Sequence, residues 1–468
     1  METNITQWVR HSVSFRIAIV GFLALLLLIP VAMVRELMRD RESTKREAVA
    51  EISQKWGERQ IVAGPILSVP YKKYVVSDKG ERVSVTEYAH FLPETLSIDG
   101  TLTPQIRSRG IFSTAVYSSE LHFSGNFIGA NLRELGIADL DADWSKAFVS
   151  VGVSDTRGIE DNVKLSWNST EIPFTPGVPT GDVIRGSVRS VGDANYSEVK
   201  MKTVPFPSSI GESAQGSGIS ALLPANMKFE NGKGHEFSFT LKLNGSEDIQ
   251  FVPTGKTTDI ALRSDWSAPS FGGAFLPDTR EVTDKGFTAS WKILDINRGY
   301  PQSWQGSAYD IYSSASGVEL LAGIDGYAKA TRSAKYALLI IALTFLVFFF
   351  AEIFNRKKIH PIQYILVGLA LVLFYALLVS ASEVIGFGSA YVASSIATIG
   401  LITLYSKSVL NSRMAGVQGL ILAFLYLFIY ILLQLEDYAL FIGSVFLFAI
   451  LATVMYVSRK VDWYRVGG

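Results

Sequence analysis

The chain has 468 residues, and its 43 basic and 43 acidic residues give a formal net charge of zero. This balance provides no basic patch for nucleic acid. Because the chain contains no cysteine, disulfides, thiol catalysis and cysteine-ligated metals are excluded.

An apolar run at residues 17–34 is the first predicted element. A helix rises about 1.5 Å per residue and needs about 20 residues to cross the hydrocarbon core of a bilayer. Arg10 and Arg16 precede the run as in a signal peptide, but no small-residue cleavage site follows it. Apolar residues then recur at helical spacing as far as Trp56. Residues 1–56 are therefore predicted to form a cytoplasmic N-terminus, an uncleaved transmembrane helix and its helical extension.

Residues 57–330 are polar and mixed, and their patterns predict a β-rich domain. Apolar and polar side chains alternate over residues 237–243, which places the apolar set on one face of a strand. Turn dipeptides separate similar short runs, for example Asp99-Gly100, Asn231-Gly232 and Asn244-Gly245. Many short strands with such turns favour a sandwich-like packing. The segment is large enough to bury a core without disulfides.

A recurring order of short motifs favours a duplication inside this domain. Residues 91–100 are echoed by residues 223–232, and each copy is followed by a Ser-Asp pair and then a Ser-Trp pair. These pairs are Ser154-Asp155 and Ser264-Asp265, then Ser166-Trp167 and Ser290-Trp291. Two lobes, 57–172 and 219–300, joined by a Pro-, Gly- and Ser-rich linker at 173–218, would explain the pattern. Chance recurrence of common turn residues is the alternative.

Five further apolar runs follow in residues 331–468, and each is long enough to span a membrane. They occupy residues 336–354, 361–382, 384–406, 417–435 and 438–457. The expected fold is an α+β membrane protein with six transmembrane helices, one N-terminal and five C-terminal.

Basic residues predict the orientation. With a cytoplasmic N-terminus, the short inner segments hold ten of them: Arg10, Arg16, Arg356, Lys357, Lys358, Lys407, Arg413, Arg459, Lys460 and Arg465. The short outer loops hold none and carry Glu383, Glu436 and Asp437. Basic residues also follow the first span, but they open a long domain, where the positive-inside rule loses force. Both termini are predicted to be cytoplasmic and residues 35–335 periplasmic.

No catalytic, cofactor or metal site is predicted. The five histidines, His11, His90, His122, His235 and His360, are scattered and form no metal-binding spacing. Glu352 and Glu383 lie near span ends, where a carboxylate can reach water or headgroups. A proton or ion relay needs charged groups near the middle of the spans, and the sequence places none there.

Several collinear motifs resemble the CreD inner membrane proteins of Gram-negative bacteria, and the resemblance covers nearly the whole chain. Its most specific stretches are Leu92–Leu96 with Asp99-Gly100, Arg109–Phe112, Ser150–Ile159 with its Asp155–Gly158 core, Ser264–Trp266, Pro269–Phe271, Phe275–Pro277, Arg280–Val282, Lys335–Ala337, Ile341–Phe345, His360–Tyr364 and Asp462–Tyr464. The resemblance implies an inner-membrane protein of the regulon controlled by the Cre sensor kinase and response regulator. It links the family to envelope integrity, colicin tolerance and the β-lactam response, and it carries over no catalytic residue.

Three classes of function stay open. The leading hypothesis is a non-enzymatic envelope-integrity protein of the stress response, which sits in the lipid bilayer and binds a protein or glycan partner through its periplasmic domain. A transporter or lipid flippase is the second class, which a deep polar cavity among the helices would favour. A membrane-bound enzyme acting on envelope material is the third, which a cluster of perturbed carboxylates in a cleft would favour.

Overall fold

The computed structural model describes residues 13–76, 81–184, 216–225, 234–321, 326–355, 359–409, 412–435 and 438–459. The chain divides into two compact units: a helical unit of Met1–Arg46 with Ile324–Gly468, and a β unit of Glu47–Gly323. The helical unit therefore takes in residues 324–330, which the sequence analysis assigned to the β-rich domain. The last turns of the N-terminal helix, from Glu47 to Trp56, belong to the β unit.

Long apolar helices make up most of the helical unit. The helices are α1 (Val13–Leu26), α2 (Leu28–Trp56), α3 (Gly326–Lys335), α4 (Ala337–Asn355), α5 (Pro361–Ile385), α6 (Phe387–Val409), α7 (Ser412–Gln434) and α8 (Ala439–Ser458). Five stretches of the described chain are long and apolar enough to cross a membrane, and α3 with α4 makes a sixth if this pair, bent by 45°, counts as one span. The bent pair covers the predicted span at 336–354.

The predicted end of the first helix is confirmed. The first helix continues past its apolar part and ends at Trp56. His360-Pro361 opens α5: the backbone N–H of Ile362 donates to His360 Nδ1, and that of His360 donates to Gln363 Oε1. Proline in the first turn fits because its missing N–H would have no helical partner.

The described part of the β unit contains seventeen strands, which lie in two sheets. The strands are β1 (Gln60–Val76), β2 (Arg82–Phe91), β3 (Thr95–Arg109), β4 (Phe112–Ile128), β5 (Phe148–Val153), β6 (Lys164–Trp167), β7 (Thr170–Pro173), β8 (Thr175–Val178), β9 (Gly216–Leu222), β10 (Gly234–Ser246), β11 (Asp248–Val252), β12 (Thr257–Ser264), β13 (Pro269–Gly273), β14 (Thr279–Thr283), β15 (Gly286–Leu294), β16 (Ser303–Gln305) and β17 (Ser316–Leu320). Sheet A has the order β13-β17-β11-β1-β5-β9-β8, with β2 and β16 attached beside β1. Sheet B has the order β14-β15-β12-β3-β4-β10-β6-β7.

The main core lies between the two sheets, as expected for a sandwich. Sheet B contributes large inward side chains such as Phe123 and Trp167, and sheet A contributes Phe251 and Val149. Strand β3 alternates between exposed and buried residues, whereas every residue of β5 is buried. Sheet A is covered on its second face by Val183, Ile184, Tyr300 and neighbouring side chains. In sheet B the outward side chains of strands such as β3 and β12 are mostly exposed, so among the described residues this face is open.

The prediction of two separate lobes is wrong. Strand β1 pairs in parallel with β11, and β3 pairs in parallel with β12, so strands of both predicted lobes alternate within each sheet. The two pairs join similar sets of four strands, β1-β3-β4-β5 and β11-β12-β15-β17. In each set the outer two strands pair antiparallel in sheet A and the middle two in sheet B. In the structure, β3 corresponds to β12. Because β12 begins at Thr257, the second copy does not begin in residues 223–232, where the motif echo had placed it.

Two predicted turns are also wrong. Asp99-Gly100 lies inside β3, and Asn244-Gly245 lies inside β10. Glycine leaves space for neighbouring side chains at these positions: a Cβ on Gly100 would meet the ends of the Leu262 and Leu121 side chains, and one on Gly245 would meet the Tyr117 ring. Asn231-Gly232 lies outside the described residues. The predicted linker at 173–218 includes strand β8 and the start of β9, while its residues 185–215 lie outside the described chain.

Candidate functional site

Asp155, in the middle of the motif Ser154–Gly158, holds the start of the β unit together. It follows β5, and its buried carboxylate accepts hydrogen bonds from the backbone N–H groups of Glu58 and Arg157, at 3.0 and 3.1 Å, and from the Arg157 guanidinium. Burial by itself would raise the pKa of Asp155, but these hydrogen bonds outweigh it and hold the pKa below its ordinary value. The role of this cluster is architectural, because it fixes the chain where α2 passes into β1.

Gln60 connects the same region to sheet B. Its side-chain amide donates to the backbone oxygens of Asp155 and Asn244, and its Oε1 accepts from the Asp155 N–H. Trp56, the last residue of α2, donates from Nε1 to the backbone oxygen of Tyr117 at 3.1 Å. Because its polar atoms are engaged in these hydrogen bonds, the motif offers few groups that could react with or bind a substrate.

A second charged cluster joins the first and last strands of the β unit. Arg59 lies 2.8 Å from Glu247, 4.0 Å from Asp248 and 3.9 Å from Glu319. Glu247 directly precedes β11, Asp248 is its first residue, and Glu319 lies on the neighbouring strand β17. In sheet A, β11 lies between β1 and β17. Burial raises the pKa of Asp248 to about 6, Arg59 opposes that shift, and Glu319 and Glu247 add to it.

Asp248 should make the stability of the β unit depend on pH. Because its folded-state pKa lies above the ordinary value, the folded state binds the proton more tightly. The folding free energy that Asp248 contributes is fully present below about pH 4 and is lost as the pH rises through about 6. At about 1.4 kcal/mol per pKa unit, the change is on the order of 2–3 kcal/mol. Asp248→Asn should remove this slope, as measured by tryptophan fluorescence of the full chain during denaturant titrations.

Asp139→Asn is the control, because this exposed carboxylate pairs only with exposed Arg133 in the described structure. It should leave the slope between pH 4 and 6 unchanged. Asp155 and Asp182 have lowered pKa values, so their contributions are lost only at more acidic pH and do not overlap this window. An unchanged slope in Asp248→Asn would contradict the assignment.

Ser68, His90 and Asp182 form a line of side chains that could not be grouped from the sequence. Ser68 Oγ lies 2.9 Å from His90 Nδ1, and His90 Nε2 lies 3.7 Å from Asp182 Oδ2. In a hydrolase triad the serine faces Nε2 and the acid faces Nδ1, so the order here is reversed. Ser68 is 1% exposed and His90 0%, which leaves no access for a substrate. Burial also lowers the pKa of His90, so the group packs as a neutral imidazole.

The described residues contain no group of three His, Asp or Glu side chains that could hold a metal ion. His122 is exposed on β4, His235 is buried beside Trp167, and His360 caps α5. His11 lies outside the described residues.

In the helical unit both glutamates have polar neighbours from other helices. Glu352 is 8% exposed, and Tyr364 donates to its carboxylate at 3.3 Å. Glu383 lies 3.8 Å from Arg41 of the α2 extension, a cationic neighbour that the sequence analysis did not identify. The positions of Glu352 and Glu383 near span ends could not predict these neighbours, because the neighbours belong to other helices. Six of the ten basic residues used to predict the orientation lie outside the described residues, namely Arg10, Arg356, Lys357, Lys358, Lys460 and Arg465. Glu436 and Asp437 lie outside them as well.

The open face of sheet B is the candidate binding surface. Its outward residues are mostly threonine, serine and charged side chains, and Arg263 pairs there with Asp99 and donates to Thr101. A shallow concavity of about 550 Å³ lies at one end of this face, lined by Thr103, Arg263, Asp265, Glu281, Lys285 and neighbouring residues. Beside it runs β14, the edge strand of sheet B, whose five residues are all exposed.

Comparison with known proteins places this architecture in a family. The family described as "Inner membrane protein CreD" matches residues 12–464. Inner membrane protein CreD of Escherichia coli (strain K12) is 30% identical over 451 residues, which cover 94% of this chain and 91% of the relative. Two stretches that carried the resemblance have defined places in the β unit: Asp155–Gly158 follows β5 and contacts Glu58, and Arg280–Val282 lies on strand β14. The chain thus belongs to the CreD family and is a multi-pass inner-membrane protein.

Proposed function

We propose that this protein is a non-enzymatic envelope-integrity protein whose β unit lies in the periplasm and binds a protein partner along β14. The observation that carries the proposal is the exposed edge strand next to the concavity of sheet B. An edge strand presents unpaired backbone N–H and C=O groups, which can pair with an extended segment of another chain. The threonine and charged side chains of the concavity would then select among such segments.

Charge distribution supports a polar partner. Glu281 and Asp265 lie with Arg263 and Lys285 around the same concavity, so both signs of charge are available at its rim. Such mixed charges favour orientation and specificity more than raw affinity. The large aromatic side chains of sheet B, such as Phe123, Trp167 and Trp291, face the core, so stacking on sugar rings has less support than pairing with a protein strand.

The two alternatives have weaker support. An enzyme needs reactive side chains that a substrate can reach, whereas Ser68 and His90 are sealed and Asp155 is fully engaged in hydrogen bonds. A transporter would be favoured by a deep polar cavity, whereas the cavity between the described helices α4, α7 and α8 is lined almost entirely by apolar side chains.

The orientation can be tested directly because the chain has no cysteine of its own. Glu81→Cys should react with a membrane-impermeant maleimide in intact spheroplasts, and Ser408→Cys should react only after permeabilisation. Both positions are exposed, and the basic asymmetry of the short loops motivates the expectation. Labelling of both positions in intact cells, or of Ser408→Cys alone, would overturn the proposed orientation.

The partner can be tested by site-specific photo-crosslinking in growing cells that express the full chain. A photoreactive amino acid at Glu281, on β14, should give a discrete protein adduct. The same amino acid at Thr170, on β7 at the other edge of sheet B, is the matched control and should give none, because the concavity lies beside β14. A substitution of Val282 that removes the adduct should also impair complementation of a deletion strain. Adducts with glycan, equal adducts at both edges, or no adduct would each contradict the proposal.

A further inference from the structure

A cavity of about 570 Å³ opens between three helices of the helical unit, α4, α7 and α8. Its volume falls within the range of roughly 300–1,000 Å³ typical of ligand pockets. The lining is almost wholly apolar and includes Val347 and Phe350 of α4, Ile421 and Leu425 of α7, and Ile450 and Val454 of α8. Its occupant must therefore present mainly hydrocarbon.

The packing of α8 explains why the cavity exists. Phe446, the eighth residue of α8, stacks on Phe428 of α7 with 3.5 Å between ring centroids, and it also lies beside Phe424. After Phe446, α8 carries Thr453, Val454 and Val457, which line the cavity. Phe446 thus packs α8 against α7, and the space beside the later turns of α8 is not filled by side chains of the described helices.

The length of the cavity matches one leaflet of a bilayer. Only four residues separate the end of α7 at Gln434 from the start of α8 at Ala439, and Phe428 stacks on Phe446 at a similar distance from this connection. The two helices therefore run antiparallel, and Met414 and Val457 lie at the same end of the cavity. From Met414 to Leu425, α7 rises about 16 Å at 1.5 Å per residue. Half of a hydrocarbon core about 30 Å thick is about 15 Å. A single acyl chain of one leaflet has this length.

Gln418 is the polar exception in the lining. It is 2% exposed, and among the described residues neither its Nε2 nor its Oε1 has a hydrogen-bond partner. Thr344 and Thr453, which also line the cavity, satisfy their hydroxyls within their own helices. An unpaired amide inside a membrane protein is costly. Gln418 therefore marks a place where the occupant carries a hydrogen-bonding group, one helical turn, or about 6 Å, from Met414.

Positive charge lies at that same end. Arg413 directly precedes Met414 and is exposed, and Arg459 follows Val457 by two residues. The order along the cavity is thus two arginines, one unpaired amide and an apolar chamber. A glycerophospholipid presents a phosphate, an ester carbonyl and an acyl chain in the same order.

We propose that the cavity between α4, α7 and α8 binds one anionic glycerophospholipid. One acyl chain fills the chamber, the Gln418 amide Nε2–H donates to its ester carbonyl, and the phosphate lies near Arg413 and Arg459. The site goes beyond the partner binding proposed for the β unit, since it belongs to the helical unit alone. It does not depend on which face of the membrane the β unit occupies.

Photolabelling of the full chain in nanodiscs tests the proposal. The discs contain phosphatidylethanolamine and phosphatidylglycerol, with a trace of phosphatidylglycerol that carries a diazirine on one acyl chain. Adducts should concentrate on residues 343–351, 414–425 and 446–457, well above the level on the lipid-facing side of α6. A matched diazirine phosphatidylcholine should label these segments less.

Variants separate a specific site from general lipid contact. Gln418→Leu should reduce labelling of these segments about five-fold, the usual effect of losing one hydrogen bond. Ala449→Phe, which fills the chamber, should abolish it. Arg413→Gln with Arg459→Gln should remove the preference for the anionic probe. Leu440→Phe is the control, because Leu440 is 88% exposed and lies outside the lining. Labelling spread evenly over all exposed helix faces, or unaffected by Ala449→Phe, would overturn the proposal. Cross-links between two copies of α8 without lipid adducts would do so too, and would indicate a protein interface.

Discussion

Asp155→Ala should destabilise the β unit by about 3 kcal/mol, within the range for breaking a buried charged pair. The buried carboxylate accepts from two backbone N–H groups and from the Nε and Nη2 atoms of Arg157, at 2.8 and 2.9 Å. Its removal leaves the Glu58 N–H without its acceptor where α2 passes into β1. Arg157 is half exposed and can turn to water, which keeps the loss at the lower end of the range. Six of the eight tryptophans lie in the β unit, so tryptophan fluorescence of the full chain in denaturant reports its unfolding.

Asp161→Ala provides the matched control. Asp161 is six residues further on and pairs with Lys242 at 2.9 Å, but its side chain is 63% exposed. Exposed pairs of this kind contribute about 0.2–1 kcal/mol, so the control should unfold near the wild-type denaturant midpoint. Asp155→Asn should fall between the two, since it keeps one acceptor oxygen and loses the charge. Equal midpoints for Asp155→Ala and Asp161→Ala would refute an architectural role for the motif.

Gly317→Ala should cost about 3 kcal/mol, at the upper end of the usual penalty for overpacking. Gly317 lies in β17 between β11 and β13, with partners on both sides. A methyl group there would collide with the backbone oxygen of Ile249 and the Cα of Gln250. Neither atom can move without breaking the pairing of β17 with β11. The expected result is a lower denaturant midpoint and earlier cleavage by protease in the full chain.

Gly299→Ala tests whether the effect comes from the site or from loss of glycine in general. A Cβ at Gly299 meets nothing within 4 Å. The substitution should therefore be neutral or slightly stabilising, because alanine restricts the unfolded chain. If both alanine variants lose stability equally, close backbone contact at Gly317 is not the cause.

The sequence was informative where the cause of structure is local. Alternation over residues 237–243 identified β10, and the apolar run with its charged continuation identified the helix that ends at Trp56. Partners of strands depend on distant residues, so the parallel pairs of β1 with β11 and β3 with β12 could not be predicted from period-two patterns. The turns predicted at Gly100 and Gly245 were wrong for the same reason, because the side chains that occupy the space beside these glycines come from other parts of the chain.

The charged and polar clusters were missed because each is assembled from distant parts of the chain. Arg59 contacts Glu247 and Glu319, and His90 contacts Ser68 and Asp182, only after the sheets have formed. The sequence did contain one signal for the first cluster: Arg59 directly precedes one apolar strand, and Glu247-Asp248 leads into another. Gln418 is a weaker signal. It is a lone amide in an apolar span, but its position in the sequence does not show that it lines a cavity.

The interleaving of β1 with β11 and of β3 with β12 also constrains how the protein is made. The first set of four strands is synthesised before any residue of the second set exists, and until then β1 and β3 have free edges. Such edges pair readily with other chains, and contacts between distant residues form slowly. A nascent chain stalled or truncated before Asp248 would therefore expose both edges at once. Such fragments should aggregate or be degraded, so the β unit is an all-or-none product of synthesis rather than a pair of separately usable halves.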